Sequence, residues 1–275
     1  MQNNLYSLRR DLVEAGRRVY ARGYVASNDG NISARVDSNR VLITPTGVSK
    51  GYMKPEDMVL VDMAGKVLDG RKKPSSEVFM HLKIYNERSD VNSVCHAHPP
   101  YATGFAVAGI PLKECILPEV IIVLGGIPLA EYGTPGTEEF YTPLLKYLKN
   151  YDAFLLANHG ALTIGKDIFN AYYKMETLEH FAHITFVATQ LGPVNTLNAE
   201  QTQKLFDIRK KIGITQEVAC ESCDVSGGTC STVTSGQNPP AASTSANPAG
   251  LDKELLVKQV TEAILKQLNG KEGLK

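Results

Sequence analysis

The sequence predicts an α/β domain in which a mixed, largely antiparallel central sheet is covered by helices. Three observations predict it. Short strand-like runs follow one another between residues 31 and 62 with only turns between them. Stretches of helical periodicity flank these runs on both sides. Too few strands are separated by helix-length segments for a succession of parallel crossovers, which need a dozen or more residues each.

The elements follow in order. Leu5, Leu8, Leu12, Ala15 and Val19 recur at intervals of three and four, the mark of an amphipathic helix. NISARV (31–36), RVLIT (40–44) and DMVLVD (57–62) are short, β-branched-rich runs bounded by turn residues, and read as strands. SEVFMHLKIYNER (76–88) reads as a helix and VNSVCHAH (91–98) as a strand. YDAFLLANHG (151–160) is a buried strand ending at a turn, with ALTIG continuing it, and residues 167 to 191 form a long helix.

Composition bounds the function. Lys+Arg and Asp+Glu are 29 each, so no net charge draws the chain to nucleic acid or an anionic membrane. No apolar run approaches the ~20 residues that span a bilayer, and the N-terminal MQNNLYSLRRDLVEAG lacks the apolar stretch of a signal peptide. A cytoplasmic protein is expected. Cys95 and Cys115 lie in apolar contexts and read as reduced structural thiols. Cys220, Cys223 and Cys230 form a CxxC with one further cysteine, but no fourth metal ligand stands nearby.

Patterning stops near Glu217, which sets the domain at 1–217. Residues 218–250 are rich in Ser, Thr, Gly, Pro and Ala and read as a flexible linker, too apolar-poor to offset the entropy of ordering. At its far end stands LDKELLVKQVTEAILKQLNG. Leu256, Val257, Val260, Ala263, Ile264 and Leu268 share one helical face, Asp252 is placed to cap it, and Asn269-Gly270 ends it. Residues 251–275 are thus an amphipathic helix on a tether, suited to docking on a partner protein.

Chemistry concentrates in CHAHPP. Alternate residues of a strand face the same side, so His96 and His98 present two imidazoles together, and Pro99-Pro100 stop the strand behind them. His159, in ANHG, stands at another strand end. Three imidazoles leave a position open on a catalytic zinc ion. His81 lies inside a helix and reads as a supporting or packing residue; His180 and His183 read as surface or packing residues. PSSE (74–77) puts two hydroxyls and a carboxylate at a helix start, where free N–H groups attract anions. SNDGN (27–31) and TPTG (44–47) are two further turns able to contribute to a phosphate nest.

GNIS, TPTG, PSSE, HAHPP and ANHG, in this order, resemble the class II aldolase and adducin-head family over about residues 3 to 213. The likeness is greatest to its zinc-dependent L-fuculose-1-phosphate aldolase type. The resemblance implies a three-layer fold and one Zn2+ per subunit held by His96, His98 and His159. It implies Glu77 as the catalytic acid/base, able to bind zinc when substrate is absent. It implies phosphate held by Asn31, Thr46, Gly47, Ser75 and Ser76, with Asn28 nearby. It also implies a homotetramer with active sites between subunits. The corresponding reaction cleaves a deoxyketose 1-phosphate to dihydroxyacetone phosphate and L-lactaldehyde. A divalent cation supplies Lewis-acid stabilisation where negative charge grows on the oxygens at C2 and C3.

The chain departs from the family at the aldehyde end. Glu119, in LPEV, stands where these aldolases carry a tyrosine, and no tyrosine follows Tyr173. A pentulose-phosphate 4-epimerase or sugar-phosphate dehydratase of the same superfamily shares the zinc and phosphate motifs. A noncatalytic adducin-like scaffold is the alternative of another class. The linker and terminal helix are similar to encapsulation peptides, which implies a bacterial microcompartment shell protein as partner.

Overall fold

In the computed structural model, residues 5–214 together with Gln216 and Val218 are described. Seven α-helices and eight strands occur among them. Helix α1 (Leu5–Ala21) precedes β1 (Asn31–Arg35), β2 (Arg40–Ile43), β3 (Val59–Asp62) and β4 (Val67–Asp69). Then come α2 (Val78–Glu87), β5 (Ser93–Ala97), α3 (Pro100–Ala108), α4 (Pro118–Val123), β6 (Leu129–Ala130) and α5 (Glu138–Leu145). The hairpin β7 (Ala153–Leu156) and β8 (Gly160–Gly165) is followed by α6 (Ile168–Leu191) and α7 (Ala199–Lys211).

The strands form one sheet in the order β4-β3-β2-β1-β5-β8-β7-β6. Every pairing is antiparallel except β6 with β7, so the sheet is mixed and largely antiparallel, as expected. Alternation along the strands supplies two apolar layers. On one face Leu42, Ile32, Cys95 and Ala161 pack with Leu12 of α1 and Met175 of α6. On the other, Val41, Ile43, Val94 and Leu162 pack with Met80 and Ile84 of α2 and Phe140 of α5. The sheet thus lies between helices on both sides.

Two expectations change in detail. The turn expected at ANHG is present, but ALTIG does not continue the strand in the same direction: Leu155 pairs antiparallel with Ala161 across residues 157–159, so His159 sits at a hairpin tip. The two prolines also do more than end a strand. Strand β5 stops at Ala97, Pro99 caps α3 and Pro100 is its first residue. A proline lacks the N–H that a first helical residue would leave unpaired, so the pair starts a helix at no cost. Two remaining free N–H groups, those of Tyr101 and Ala102, donate to the Glu179 carboxylate of α6 at 3.0 and 2.8 Å. That clamp fixes the chain immediately after His98.

Cys95 is a free, buried thiol, and burial pushes it up to about 12. Cys115, expected to be reduced, is instead disulfide-bonded. No helix among the described residues is long and apolar enough to cross a membrane. The cysteine trio and the amphipathic segment 251–275 lie outside the described residues, as does the linker apart from Val218.

Candidate metal centre and active site

Strand β5 lies between β1 and β8, and this placement assembles the site. His96 pairs with Asn31 on one side and Leu162 on the other. The hairpin tip then carries His159 back over β5. The three histidines offer nitrogen atoms that all lie within 4.8 Å of one another. Nε2 of His96 is 3.2 Å from Nε2 of His98 and 3.0 Å from Nε2 of His159. Glu77 completes the group, its two oxygens 3.1 Å from His159 Nε2 and 3.3 Å from His96 Nε2.

These distances test the fit of a metal. Tetrahedral zinc with Zn–N bonds near 2.0–2.1 Å would separate its nitrogens by ~3.3 Å. The tautomers agree. His96 Nδ1 donates to the Ala161 carbonyl at 2.9 Å, which leaves Nε2 as a lone pair aimed into the cluster. His98 turns Nδ1 toward Asp29, 3.5 Å away, and Nε2 inward. Such outer partners fix ring orientation and ligand basicity. Burial pushes His96 down to about 3 and also lowers His98, favouring the neutral, ligating forms. Four donors of this kind suit a divalent cation.

Gly160 is required where the hairpin meets β5. A Cβ there would stand 2.6 Å from the Ala97 carbonyl oxygen and 2.6 Å from a ring carbon of His98. Only glycine lets the hairpin bring His159 this close.

Glu77 immediately precedes α2 and is buried. Along α2, Glu77, His81 and Tyr85 are spaced by four and form one stripe. Along β1, Asn31 and Ser33 are spaced by two and face that stripe. The two sets interleave in a buried hydrogen-bonded chain. Asn31 Nδ2 donates to Glu77 Oε2 at 2.6 Å. Asn31 Oδ1 is therefore the acceptor facing His81 Nε2, at 2.5 Å. His81 then carries its proton on Nε2, and its Nδ1 accepts from Ser33 Oγ at 2.6 Å. The Tyr85 hydroxyl, 2.7 Å away, donates to Ser33 in turn. Burial holds His81 neutral, down to about 4, as this assignment needs. Burial raises the Glu77 carboxyl, whereas the Asn31 amide that donates to it, and the His96 and His159 imidazoles in their protonated forms, lower it below the usual carboxylate range.

The three turns expected to hold phosphate also meet. Pro45 bridges Pro74, Thr46 N–H donates to the Lys73 carbonyl at 3.1 Å, and Ser75 N–H to the Thr44 carbonyl at 3.2 Å. Ser75 is buried, and its hydroxyl accepts from the Glu77 N–H at 3.3 Å. Thr46, Gly47 and Ser76 are exposed beside it, as is Asn28 in the neighbouring turn. A cleft of about 60 Å³ next to Ser76 and Glu77 is walled by Phe140 and Tyr141. A larger apolar groove of 740 Å³ between α3 and α6 includes none of these residues. Asn31 was expected on phosphate; its amide is committed to Glu77 and His81, with one Nδ2 hydrogen left over. Glu119 is exposed in the first turn of α4, and among the described residues no contact ties it to the histidine cluster.

Comparison with known proteins decides the family. The family described as "Class II Aldolase and Adducin N-terminal domain" matches residues 10–186. The chain belongs to this family. It is an enzyme of the class II aldolase type. An L-fuculose phosphate aldolase of Methanococcus maripaludis is 37% identical over 181 residues, covering 66% of this chain and 97% of that one. A 3-oxo-tetronate 4-phosphate decarboxylase of Pectobacterium atrosepticum is 34% identical over 183 residues, covering 65% and 84%. Among solved structures, an L-fuculose 1-phosphate aldolase superposes with a TM-score of 0.69 at 31% identity, over 74% of this aldolase-family chain and 96% of that one.

Sequence reasoning found the histidines and Glu77 but missed Ser33 and Tyr85, and gave His81 only a supporting place. The signal was present: a Glu, a His and a Tyr spaced by four, against an Asn and a Ser spaced by two.

Proposed function

We propose that this enzyme is a zinc-dependent aldolase that cleaves L-fuculose or L-rhamnulose 1-phosphate to dihydroxyacetone phosphate and L-lactaldehyde. One observation carries the reading: three imidazoles and the Glu77 carboxylate converge beside three turns of the kind that bind phosphate. Bound to His96, His98 and His159, zinc would supply Lewis-acid stabilisation for the charge that develops during C3–C4 cleavage. The turns at Asn28, Thr46-Gly47 and Ser75-Ser76 would hold the phosphate, and so fix the three-carbon unit against Glu77.

Glu77 would exchange the proton at C3. In cleavage its protonated form delivers that proton to the enediolate; in condensation the carboxylate removes it. The Asn31 amide favours the carboxylate form and holds its orientation. Glu119 would serve the aldehyde end from a neighbouring subunit of a homotetramer. Segment 251–275 would dock on a microcompartment shell protein and confine a reactive aldehyde; its deletion is expected to leave activity intact and abolish co-purification with shells.

The decarboxylase relative favours a second reading within the family, because the same metal chemistry stabilises an enediolate formed by loss of carbon dioxide. A substrate panel decides. L-fuculose and L-rhamnulose 1-phosphate, a pentulose 5-phosphate and 3-oxo-tetronate 4-phosphate are supplied with and without a chelator. Chelator-sensitive release of dihydroxyacetone phosphate from the first two supports the aldolase. Turnover of only the others overturns it.

A further inference from the structure

We propose that Lys50 is a positioning residue for the substrate phosphate: its buried ammonium ties together two of the phosphate turns and sets a positive charge beneath them. This rests on the phosphate reading of those turns. Lys50 is 1% exposed, an unusual state for a lysine. Its Nζ donates to the Asn28 carbonyl at 3.0 Å and to the Val48 carbonyl at 2.8 Å. Asn28 belongs to the turn before β1, and Val48 follows Thr46-Gly47 directly. One ammonium therefore fixes the spacing of two loops that share no other hydrogen bond among those described.

The electrostatics point the same way. Among the described residues no carboxylate lies within ion-pair distance of Nζ, although the charges of Asp29 and Glu77 act on it from farther off. Burial pushes the lysine down to about 8. A buried cation touched only by neutral carbonyls lacks a counter-charge in direct contact, and an anion in the adjoining turns would add one. An ammonium has three donors and the carbonyls use two. The loop that Lys50 holds is open at Gly47, where φ is +70° and a Cβ would meet nothing within 4 Å. Lys50 itself is kept in place by close packing against α1, where Gly16 approaches its carbonyl.

The test uses the full-length zinc-loaded enzyme, with inorganic phosphate as competing anion. Lys50→Met should raise both the KM of the phosphorylated ketose and the Ki of inorganic phosphate at least tenfold. Its kcat should stay within threefold, with zinc content unchanged. Lys50→Gln, which can still donate to one carbonyl, is the second variant should Lys50→Met fail to fold, and the same split is expected. Wild-type-like Ki in a folded variant overturns the role of Lys50 while leaving the phosphate turns standing, as does a fall in kcat with Ki unmoved. A wild-type enzyme that is neither inhibited by phosphate nor active on any phosphorylated ketose overturns the phosphate reading and this inference with it.

Discussion

Replacing His81 by leucine removes the middle of the chain that runs from Tyr85 to Glu77. His81 is fully buried and makes two short hydrogen bonds, to Asn31 at 2.5 Å and Ser33 at 2.6 Å. A leucine fills the space but leaves Asn31 Oδ1 without its donor and the Ser33 O–H without its acceptor, although Tyr85 still bonds that hydroxyl. Each orphaned group costs about 1–3 kcal/mol, so a loss of ~2–5 kcal/mol is expected. For a domain of this size that lowers Tm by roughly 5–15 °C. The Asn31 amide, no longer fixed, also loses its orientation toward Glu77. A hydrogen bond to a charged group is worth ~1.5–3 kcal/mol, so turnover should fall by roughly 10- to 150-fold. The assay is steady-state release of dihydroxyacetone phosphate, with zinc content and thermal melting measured on the same preparation. Activity within twofold of wild type, with zinc retained and melting unchanged, would refute the chain as the device that orients Glu77.

Three further predictions follow from the same geometry. Glu77→Gln should retain zinc on the three histidines yet lose nearly all turnover; normal activity rules out a proton-transfer role for this side chain. Gly160→Ala should weaken zinc affinity roughly tenfold or more, because its Cβ displaces His98 or the end of β5; unchanged affinity in a chelator competition would show that the hairpin has slack. Acid should destabilise the fold through His81, whose folded-state value of about 4 lies below the ~6.5 of an exposed imidazole. The unfolded chain takes up a proton below pH 6.5 and the folded one only near 4, so stability is full above 6.5 and falls by ~3 kcal/mol between those values. Melting curves of wild type and His81→Leu across that range check it, and equal slopes would contradict it.

Much of the fold was legible because periodicity is a local property. Leu8, Leu12, Ala15 and Val19 are buried in α1 as their spacing required, and Asp167 caps α6 by accepting from the Asn170 N–H. His96 and His98 share a side because strands alternate. What was not legible depends on long-range pairing. That His159 reaches His96 requires the turn at residues 157–159 to reverse the chain into a hairpin beside β5, a pairing the local sequence does not encode. That Asn31 and Ser33 face α2 requires β1 beside β5, a register no single segment encodes. The sequence offers no local sign that Lys50 is buried; its ammonium is enclosed by carbonyls of two separate loops, Asn28 and Val48. Pro99 and Pro100 signalled a strand end, while their second role, starting α3 under the Glu179 clamp, depends on a residue some 80 positions away.

The central claim is that three imidazoles from separate parts of the chain hold one divalent cation beside Glu77. Anomalous diffraction at the zinc edge, from crystals of the purified enzyme, tests it most directly. A single peak per chain should lie ~2.0–2.1 Å from Nε2 of His96, His98 and His159. No peak there, or a zinc ion bound without His159, would contradict the account.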